Sequence, residues 1–483
     1  MKKSFISINP SFIIRNEKGC SFLIPKYSIN NKNEYDSLEV PPFMGYIFAQ
    51  LGQQPIDQDI KIISNELGID SSIVKNFVLQ LINNQESKEF KLNDSQSIVF
   101  PPSFLIETDY PLKTISFDSE DFDKKGEFEI KRPSMPFSAN IMVTTACTTN
   151  CIYCYANRNL GVELTTDKMV KLIRELRDGG VVNIALTGGD IFARHDWPVI
   201  IKESVDCGFA PFLSTKTPLS ADDIKVFKSL NYDTFQFSLD SNDDKILSYM
   251  VAVQPEYLKK VEDMLNACSQ LGVKVQIRTV LTSKNSSINQ VKSLYNFLCR
   301  FECIKEWDMT PAFFSGYKKE EYKELEVDNE NLKAVYEFTK QENLKFPIRL
   351  NKIGKSGYRL KKYGDVEEFV CKNQICLGNV SSISILANGK CSVCEMLYDN
   401  PDYLLGDINL STLKEIWNSK QAMDLYFPKQ NEAEPACREC KVFDKCKGDY
   451  GKRVCYSDIS KLGLTKGSPD PRCPMSKNFD VIL

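Results

Sequence analysis

Cys147, Cys151 and Cys154 stand in a Cys-x3-Cys-x2-Cys run. Spacings this short let one loop converge three thiolates on a single polynuclear centre, and three protein ligands leave one iron of a four-iron cluster without a protein donor. An open iron can take a small molecule, as a catalytic metal does at its open position. A zinc loop is the competing chemistry for the same residues. Thr187-Gly188-Gly189-Asp190 comes next. Its glycines allow close backbone approach, and a backbone carbonyl or the Asp190 carboxylate can accept a hydrogen bond from an ammonium group. The C-terminal part adds Cys371, Cys376, Gly389 followed by Cys391 and Cys394, then Cys437-x2-Cys440-x5-Cys446, Cys455 and Cys473. In all, 17 cysteines accompany a single histidine, His195. That scarcity argues against Cys/His zinc sites and histidine acid–base chemistry. Thiolate-only ligation suits iron–sulfur clusters and also four-cysteine zinc. His195 reads as a surface or helix-start residue. Cys20, Cys207, Cys268, Cys299 and Cys303 lack partner spacing and read as ordinary thiols.

The elements that must position these residues follow an α/β pattern. From Phe137 to about Phe314, candidate strands alternate with helical stretches such as Thr166–Arg177 and Glu256–Leu271. The strands are Asn140–Thr144, Asn183–Leu186, Ala210–Leu213, Thr234–Leu239, Lys274–Leu281 and Trp307–Met309. Six βα repeats imply a parallel sheet, open or curled into part of a barrel. The three-cysteine loop follows the first strand and the glycine pair the second. Ser214 and Lys216 close the third, Ser238 and Asp240 the fourth, and Arg278 lies on the fifth. Before this core, strands Ser11–Arg15 and Ser21–Ile24 flank the turn Glu17-Lys18-Gly19. Ile56, Ile60, Ile63 and Leu67 recur at helical spacing up to Gly68, and a second helix capped by Asp70 or Ser71 shows Ile73, Phe77 and Leu81 on one face. With a strand at Ser97–Phe100, this makes a small winged-helix domain. The expected divisions are 1–110, a linker 111–136, a core 137–317, a connector 318–370 and a cysteine-rich domain 371–483.

Composition is that of an ordinary soluble protein, 42% hydrophobic and 26% charged over 483 residues, with a formal net charge of −3. Nothing in that balance attracts nucleic acid or an anionic membrane. The helix from Ser71 to Asn84 carries one basic residue, Lys75, too few for a DNA-recognition helix. No apolar run approaches the ~20 residues that span a bilayer, and Met1 to Pro10 has two lysines but no apolar core of signal-peptide length. The expectation is a cytoplasmic protein.

The Cys147–Cys154 spacing, with Tyr153 just before the third cysteine, resembles the radical S-adenosylmethionine (SAM) superfamily. The resemblance implies a partial (β/α)6 TIM barrel and one [4Fe-4S] cluster whose open iron is chelated by SAM. It places Gly188, Gly189 and Asp190 at the methionine ammonium, although the family motif there is Gly-Gly-Glu. It assigns Ser214, Lys216, Ser238 and Asp240 to ribose hydroxyls and the cofactor carboxylate, which Arg278 could also pair. The C-terminal array resembles the SPASM extension of peptide-modifying members, which implies two auxiliary [4Fe-4S] clusters, three in all. Residue by residue, Cys371, Cys376, Cys394 and Cys455 map to the first, with Cys391 competing with Cys394. Cys437, Cys440, Cys446 and Cys473 map to the second. The family expects a further cysteine where Tyr450 stands. The N-terminal layout resembles leader-recognition elements of maturases acting on ribosomally made peptides, of the thioether-forming sactipeptide and ranthipeptide kind. Implied partners are a precursor peptide and a one-electron reductant, flavodoxin or ferredoxin. Alternatives are a carbon–carbon crosslinking maturase, an anaerobic sulfatase (formylglycine) maturase or, outside enzymes, a zinc-containing transcription regulator.

Overall fold

The computed structural model describes residues 4–26, 37–93, 96–112, 118–154, 156, 160–312, 324–351, 363–373, 375–397, 400–448 and 452–477. The chain divides into two compact units, Met1–Phe137 and Ser138–Leu483.

The first unit runs β1 (Phe5–Ile8), β2 (Phe12–Glu17), β3 (Cys20–Pro25), β4 (Leu38–Val40), α1 (Pro42–Gln50), α2 (Ile56–Leu67), α3 (Ser71–Leu81), β5 (Lys88–Lys91), β6 (Ser97–Phe100) and β7 (Leu105–Thr108). Gly19, at φ +92°, makes the β2–β3 turn, and β4 completes an antiparallel sheet in the order β2-β3-β4. Gly68 ends α2 at φ 65°, and the Asp70 carboxylate caps α3 by accepting from the Ser72 amide. Helix α1 escaped the sequence reading because seven of its nine residues are buried and it is apolar almost all round, which leaves no amphipathic period to detect. In α3 the inward stripe is Val74, Val78 and Leu81, while Ile73 is 60% exposed and Phe77 sits at the boundary. Two apolar stripes one residue apart were available, and the sequence reading took the outer. Phe48, Phe100 and Phe104 stack at 5.0–5.5 Å in the core, and the β5–β6 hairpin stands in the place of a wing.

The second unit runs β8 (Ser138–Thr144), α4 (Thr166–Asp178), β9 (Asn183–Gly188), α5 (Trp197–Asp206), β10 (Phe212–Thr215), α6 (Ala221–Ser229), β11 (Thr234–Ser238), α7 (Asp244–Val251), α8 (Tyr257–Leu271), β12 (Lys274–Leu281), α9 (Ile288–Leu298), β13 (Ile304–Pro311), α10 (Asn329–Thr339), β14 (Ile348–Leu350), α11 (Val366–Lys372), β15 (Ser382–Ile385), β16 (Lys390–Ser392) and β17 (Leu404–Asp407). Strands β8 to β13 are parallel and adjacent in chain order, the (β/α)6 arrangement of a partial barrel. The third begins two residues later than the pattern suggested, because Pro211 has no N–H to give a ladder. Parallel β14 extends one edge. At the other, β15 pairs parallel with β8 and continues into antiparallel β16 and β17, ten strands in all.

Strand alternation gives this sheet two unlike faces. Ile141, Leu186, Leu213, Phe235, Phe237, Ile277 and Trp307 share one and are fully buried, as expected of the face onto which right-handed crossovers lay their helices. Register places Asn140, Thr187, Ser214, Gln236, Ser238, Gln276, Arg278, Glu306 and Asp308 on the other. That polar face leads to the strand ends where the candidate residues lie.

Gly45 tests the packing of the first unit. A Cβ there would lie 2.0 Å from Ser21 Oγ and 2.4 Å from Ser21 Cβ, and Ser21 is fully buried. Gly45→Ala is expected to destabilise this unit by about 1–3 kcal/mol, read as a lower denaturant midpoint for protection of residues 4–112 from trypsin.

Candidate active site at the strand ends

The three-cysteine loop leaves β8 and is tied to the end of α7: the Asn150 amide donates to the Val251 carbonyl (3.0 Å) and the Ile152 amide to that of Met250 (2.9 Å). The buried Thr149 hydroxyl lies 3.3 Å from Cys147 Sγ and 3.4 Å from Cys151 Sγ, and the Cys154 amide donates to the Cys151 carbonyl at 3.1 Å. The loop thus gathers its sulfurs before any ligand is added. Burial pushes the Cys151 thiol up, opposed by the Lys216 ammonium.

The glycine turn is fitted against this loop. Gly189 N–H donates to the Thr144 carbonyl at 2.7 Å and Asp190 N–H to that of Ala146 at 2.8 Å. A Cβ on Gly188 (φ +136°) would meet Thr144 O at 2.3 Å, and one on Gly189 would meet Ala146 O at 2.0 Å. The carboxylate of Asp190 turns to β10 instead of outward. Its Oδ2 accepts from Thr215 Oγ1 (2.6 Å), the Lys216 and Thr217 amides (3.0 and 3.1 Å) and Thr217 Oγ1 (2.9 Å), and its Oδ1 accepts from the Phe192 amide (3.0 Å). With five donors taken, the shorter acid serves as a tie between two strand ends.

Tyr153, Lys216 and Asp240 converge beside the cysteine loop. The Tyr153 hydroxyl donates to Asp240 Oδ2, and Lys216 Nζ lies 3.0 Å from the same oxygen and 5.6 Å from the Tyr153 ring centroid. Asp240 Oδ1 accepts from the Val280 amide at 2.8 Å. Burial, then the neighbouring Asp240 charge, lifts the Tyr153 phenol well above its ordinary range, so it remains a donor. Burial works against the Lys216 ammonium, but the Asp240 carboxylate together with the Cys151 and Cys147 sulfurs raises it overall. Ser214 and Ser238 are joined through Gln236, whose Nε2 donates to both hydroxyls at 3.1 and 2.9 Å. Arg278 stands beside Ser238 in register but is exposed and outside this cluster.

Two groups carried no local motif. Glu163 accepts from Thr144 Oγ1 (2.9 Å) and from the Thr145 amide and hydroxyl (2.6 and 2.7 Å). Arg194 lies behind it and pairs bidentately with Asp196 at 2.8 and 2.6 Å. The Arg194 hydrogen bonds hold the Asp196 carboxyl down to about 2. Glu395, next to Cys394, accepts from Asn140, which accepts in turn from Thr187 beside the glycine turn (3.1 Å).

The distal cysteines form two separate sets. Cys437, Cys440, Cys446 and Cys473 line one enclosed pocket with Phe369 and Phe443. Cys394 and Cys455 are each electrostatically coupled to Cys376, over a buried network in which Arg472 pairs with Asp458 and Asp470. Cys371 is exposed on α11 and takes no part in the interactions that couple these three. Cys391 is fully buried, paired with Ile385 across the β15–β16 ladder, and burial pushes its thiol far up. Cys394 accepts from the Met396 amide at 3.4 Å. Gly389, at φ +90°, forms the β15–β16 turn. Tyr450 lies outside the described residues. Among the described residues no three His, Cys, Asp or Glu side chains close to single-ion spacing; the four pocket sulfurs surround a void instead. Wholly thiolate donors around a void fit a cluster of several irons.

The glycine turn offers a direct test. Gly189→Ala is expected to displace the cysteine loop, with at least a tenfold weaker affinity for SAM by calorimetry and loss of about four irons per chain on reconstitution. Unchanged values for both would remove the turn from the site.

Comparison with known families agrees with this geometry. The radical SAM superfamily model matches residues 141–297, and SPASM, an iron–sulfur cluster-binding domain, matches residues 371–441. Crystal structures of SuiB from Streptococcus suis share the fold. The form bound to S-adenosylmethionine and the form bound to precursor peptide SuiA are each 15% identical, with a TM-score of 0.65 over 97% of this chain and 100% of SuiB. A third SuiB structure is 14% identical, with a TM-score of 0.63 over 98% and 100%. The chain is an enzyme in which residues 141–297 form a radical SAM domain and residues 371–441 a SPASM iron–sulfur cluster-binding domain.

Proposed function

We propose that the chain modifies a ribosomally made precursor peptide by radical chemistry, most simply by joining a cysteine sulfur to a carbon as a thioether. The observation that carries this reading is the seam between the cysteine loop and the glycine turn, where Gly189 and Asp190 bond to Thr144 and Ala146. That seam sets the loop of Cys147, Cys151 and Cys154 beside the polar strand ends that carry Lys216 and Asp240. A [4Fe-4S] cluster and SAM, when bound, would supply one-electron reduction and hydrogen-atom abstraction from the substrate. Cys147, Cys151 and Cys154 hold the cluster, and the glycine-turn backbone takes the methionine ammonium. Ser214 and Ser238, oriented by Gln236, take ribose hydroxyls. Lys216, fixed by Asp240 and Tyr153, offers a cation to the cofactor carboxylate. Asp190 acts as a positioning residue for β10. Cys376, Cys394 and Cys455, with Cys371 as a fourth candidate, hold one auxiliary cluster, and Cys437, Cys440, Cys446 and Cys473 the other. Such clusters would supply one-electron oxidation for closing a new bond.

The peptide substrate is supported by SuiB, a protein of the same fold whose structures include one with a precursor peptide. The first unit would bind the leader. Its three-stranded sheet has β2 and β4 at its edges, the geometry for adding a peptide strand. Lys75 on α3 lies 3.8 Å from Asp57, and the helix offers no basic stripe for nucleic acid. On this reading 1–110 recognises the leader, 111–136 links, 137–317 is the radical core, 318–370 connects and 371–483 holds the auxiliary clusters. A flavodoxin or ferredoxin of the cytoplasm serves as reductant. No described helix is long and apolar enough to cross a membrane.

Anaerobic reconstitution is expected to give about twelve irons per chain with matching sulfide. Cys151→Ala should abolish SAM cleavage while retaining about eight. With a precursor peptide, mass spectrometry should show loss of one hydrogen pair and one cysteine that no longer alkylates. Loss of hydrogen with every thiol still alkylating assigns a carbon–carbon crosslink instead. Zinc without sulfide overturns the reading.

A further inference from the structure

Lys447 is only 1% exposed, in a domain whose other lysines mostly reach solvent. It lies on the short π-helical turn Asp444–Gly448, directly after Cys446, and lines the pocket of Cys437, Cys440, Cys446 and Cys473. Its ammonium donates to two backbone carbonyls, Ser468 O at 2.7 Å and Lys466 O at 3.3 Å, and its charge acts on the Cys437 and Cys446 thiols of the same pocket. A second buried lysine holds this turn in place: Lys452 Nζ donates to the Lys447 carbonyl at 2.6 Å and to that of Tyr426 at 2.5 Å. Carbonyl dipoles compensate a buried ammonium only in part. What completes the compensation is the pocket it faces. Four thiolates outweigh the positive charge of an iron–sulfide core, so the loaded pocket is anionic, and it becomes more so with each electron it accepts.

We propose that Lys447 sets the reduction potential of the cluster held by Cys437, Cys440, Cys446 and Cys473, favouring its reduced state by a fixed buried charge at the pocket wall. Hydrogen bonds to cluster sulfurs and net charge around the cluster are the levers by which a protein moves such a potential. The assignment rests on the reading that these cysteines hold a cluster.

The test is an EPR-monitored redox titration of the reconstituted full chain, with iron and sulfide counted on the same samples. Lys447→Met should keep the wild-type iron content and shift the midpoint of one cluster signal to lower potential, whereas Lys447→Arg should leave that midpoint close to wild type. Identical midpoints in the wild type and Lys447→Met overturn the proposal. If Lys447→Met instead loses about four irons and Lys447→Arg restores them, the cation is needed to hold the anionic cluster, and the charge role stands. If Lys447→Arg fails to restore them, the residue serves packing and the proposal falls. A wild-type chain that takes up only about four irons overturns the auxiliary-cluster reading itself.

Discussion

A parallel sheet wrapped by its own crossover helices must bury one face in hydrocarbon, and here the other face is made of hydrogen-bonding side chains that have to answer one another. The answers run from strand to strand. Thr187 bonds Asn140, Gln236 bonds Ser214 and Ser238, and Gln276 bonds Asp308 beside Glu306, both of which Arg349 pairs. These bonds join residues that register has set on one face, directly opposite as Ser214 and Gln236, diagonal as Asn140 and Thr187 or two apart on one strand as Gln236 and Ser238, so the polar face and the strand pairing depend on each other. A slip of one residue in any strand would send its polar set into the helices and its Phe or Ile into the cavity. The position of every candidate group at the strand ends follows from that register.

The same constraint explains the tight stitching at the rim. The loop after β8 has to turn three sulfurs toward one point, and a loop alone is too soft to do so. Backbone bonds to α7 fix it on one side and the glycine turn on the other, with Glu163 taking the Thr144 and Thr145 donors that the turning chain leaves without strand partners. Asp190 extends the fixation to β10, and Asp240 carries it on to β12 through the Val280 amide. Placement here is shared among four strand ends, which is how a site on loops acquires the rigidity of a sheet.

Much of this was legible in the chain because its information is local. Strands β6 and β12 match the alternation of apolar residues along them, and the turn at Gly19 and the helix end at Gly68 fall at residues that tolerate positive φ. Cys147 to Cys154 and Cys437 to Cys446 declare themselves because a cluster constrains near neighbours. Helix α1 was illegible because complete burial erases periodicity. The Glu163–Arg194 clamp and the Glu395–Asn140 contact were illegible because partners 31 and 255 residues apart have no pattern to share. The choice between Cys391 and Cys394 needed the ladder: strand alternation turns Cys391 into the same apolar layer as Ile385 and leaves Cys394, beyond the end of β16, beside Cys376.

Lys216 and Lys447 both stand beside thiolate sites, and they are not equivalent. Lys216 lies next to Cys147 and Cys151, but Asp240 takes its charge at 3.0 Å, so the pair contributes a dipole and little net field. Lys447 lies next to Cys437 with backbone carbonyls as its hydrogen-bond partners, and the one buried carboxylate that lines the same pocket among the described residues, Asp470, is paired with Arg472. In a low-dielectric interior a net charge acts over a longer range than a dipole. On the proposed reading the loop of Cys147, Cys151 and Cys154 therefore has a paired cation beside it, and the pocket of Cys437, Cys440, Cys446 and Cys473 a cation held by carbonyls. This asymmetry lies in side chains that no cluster motif includes.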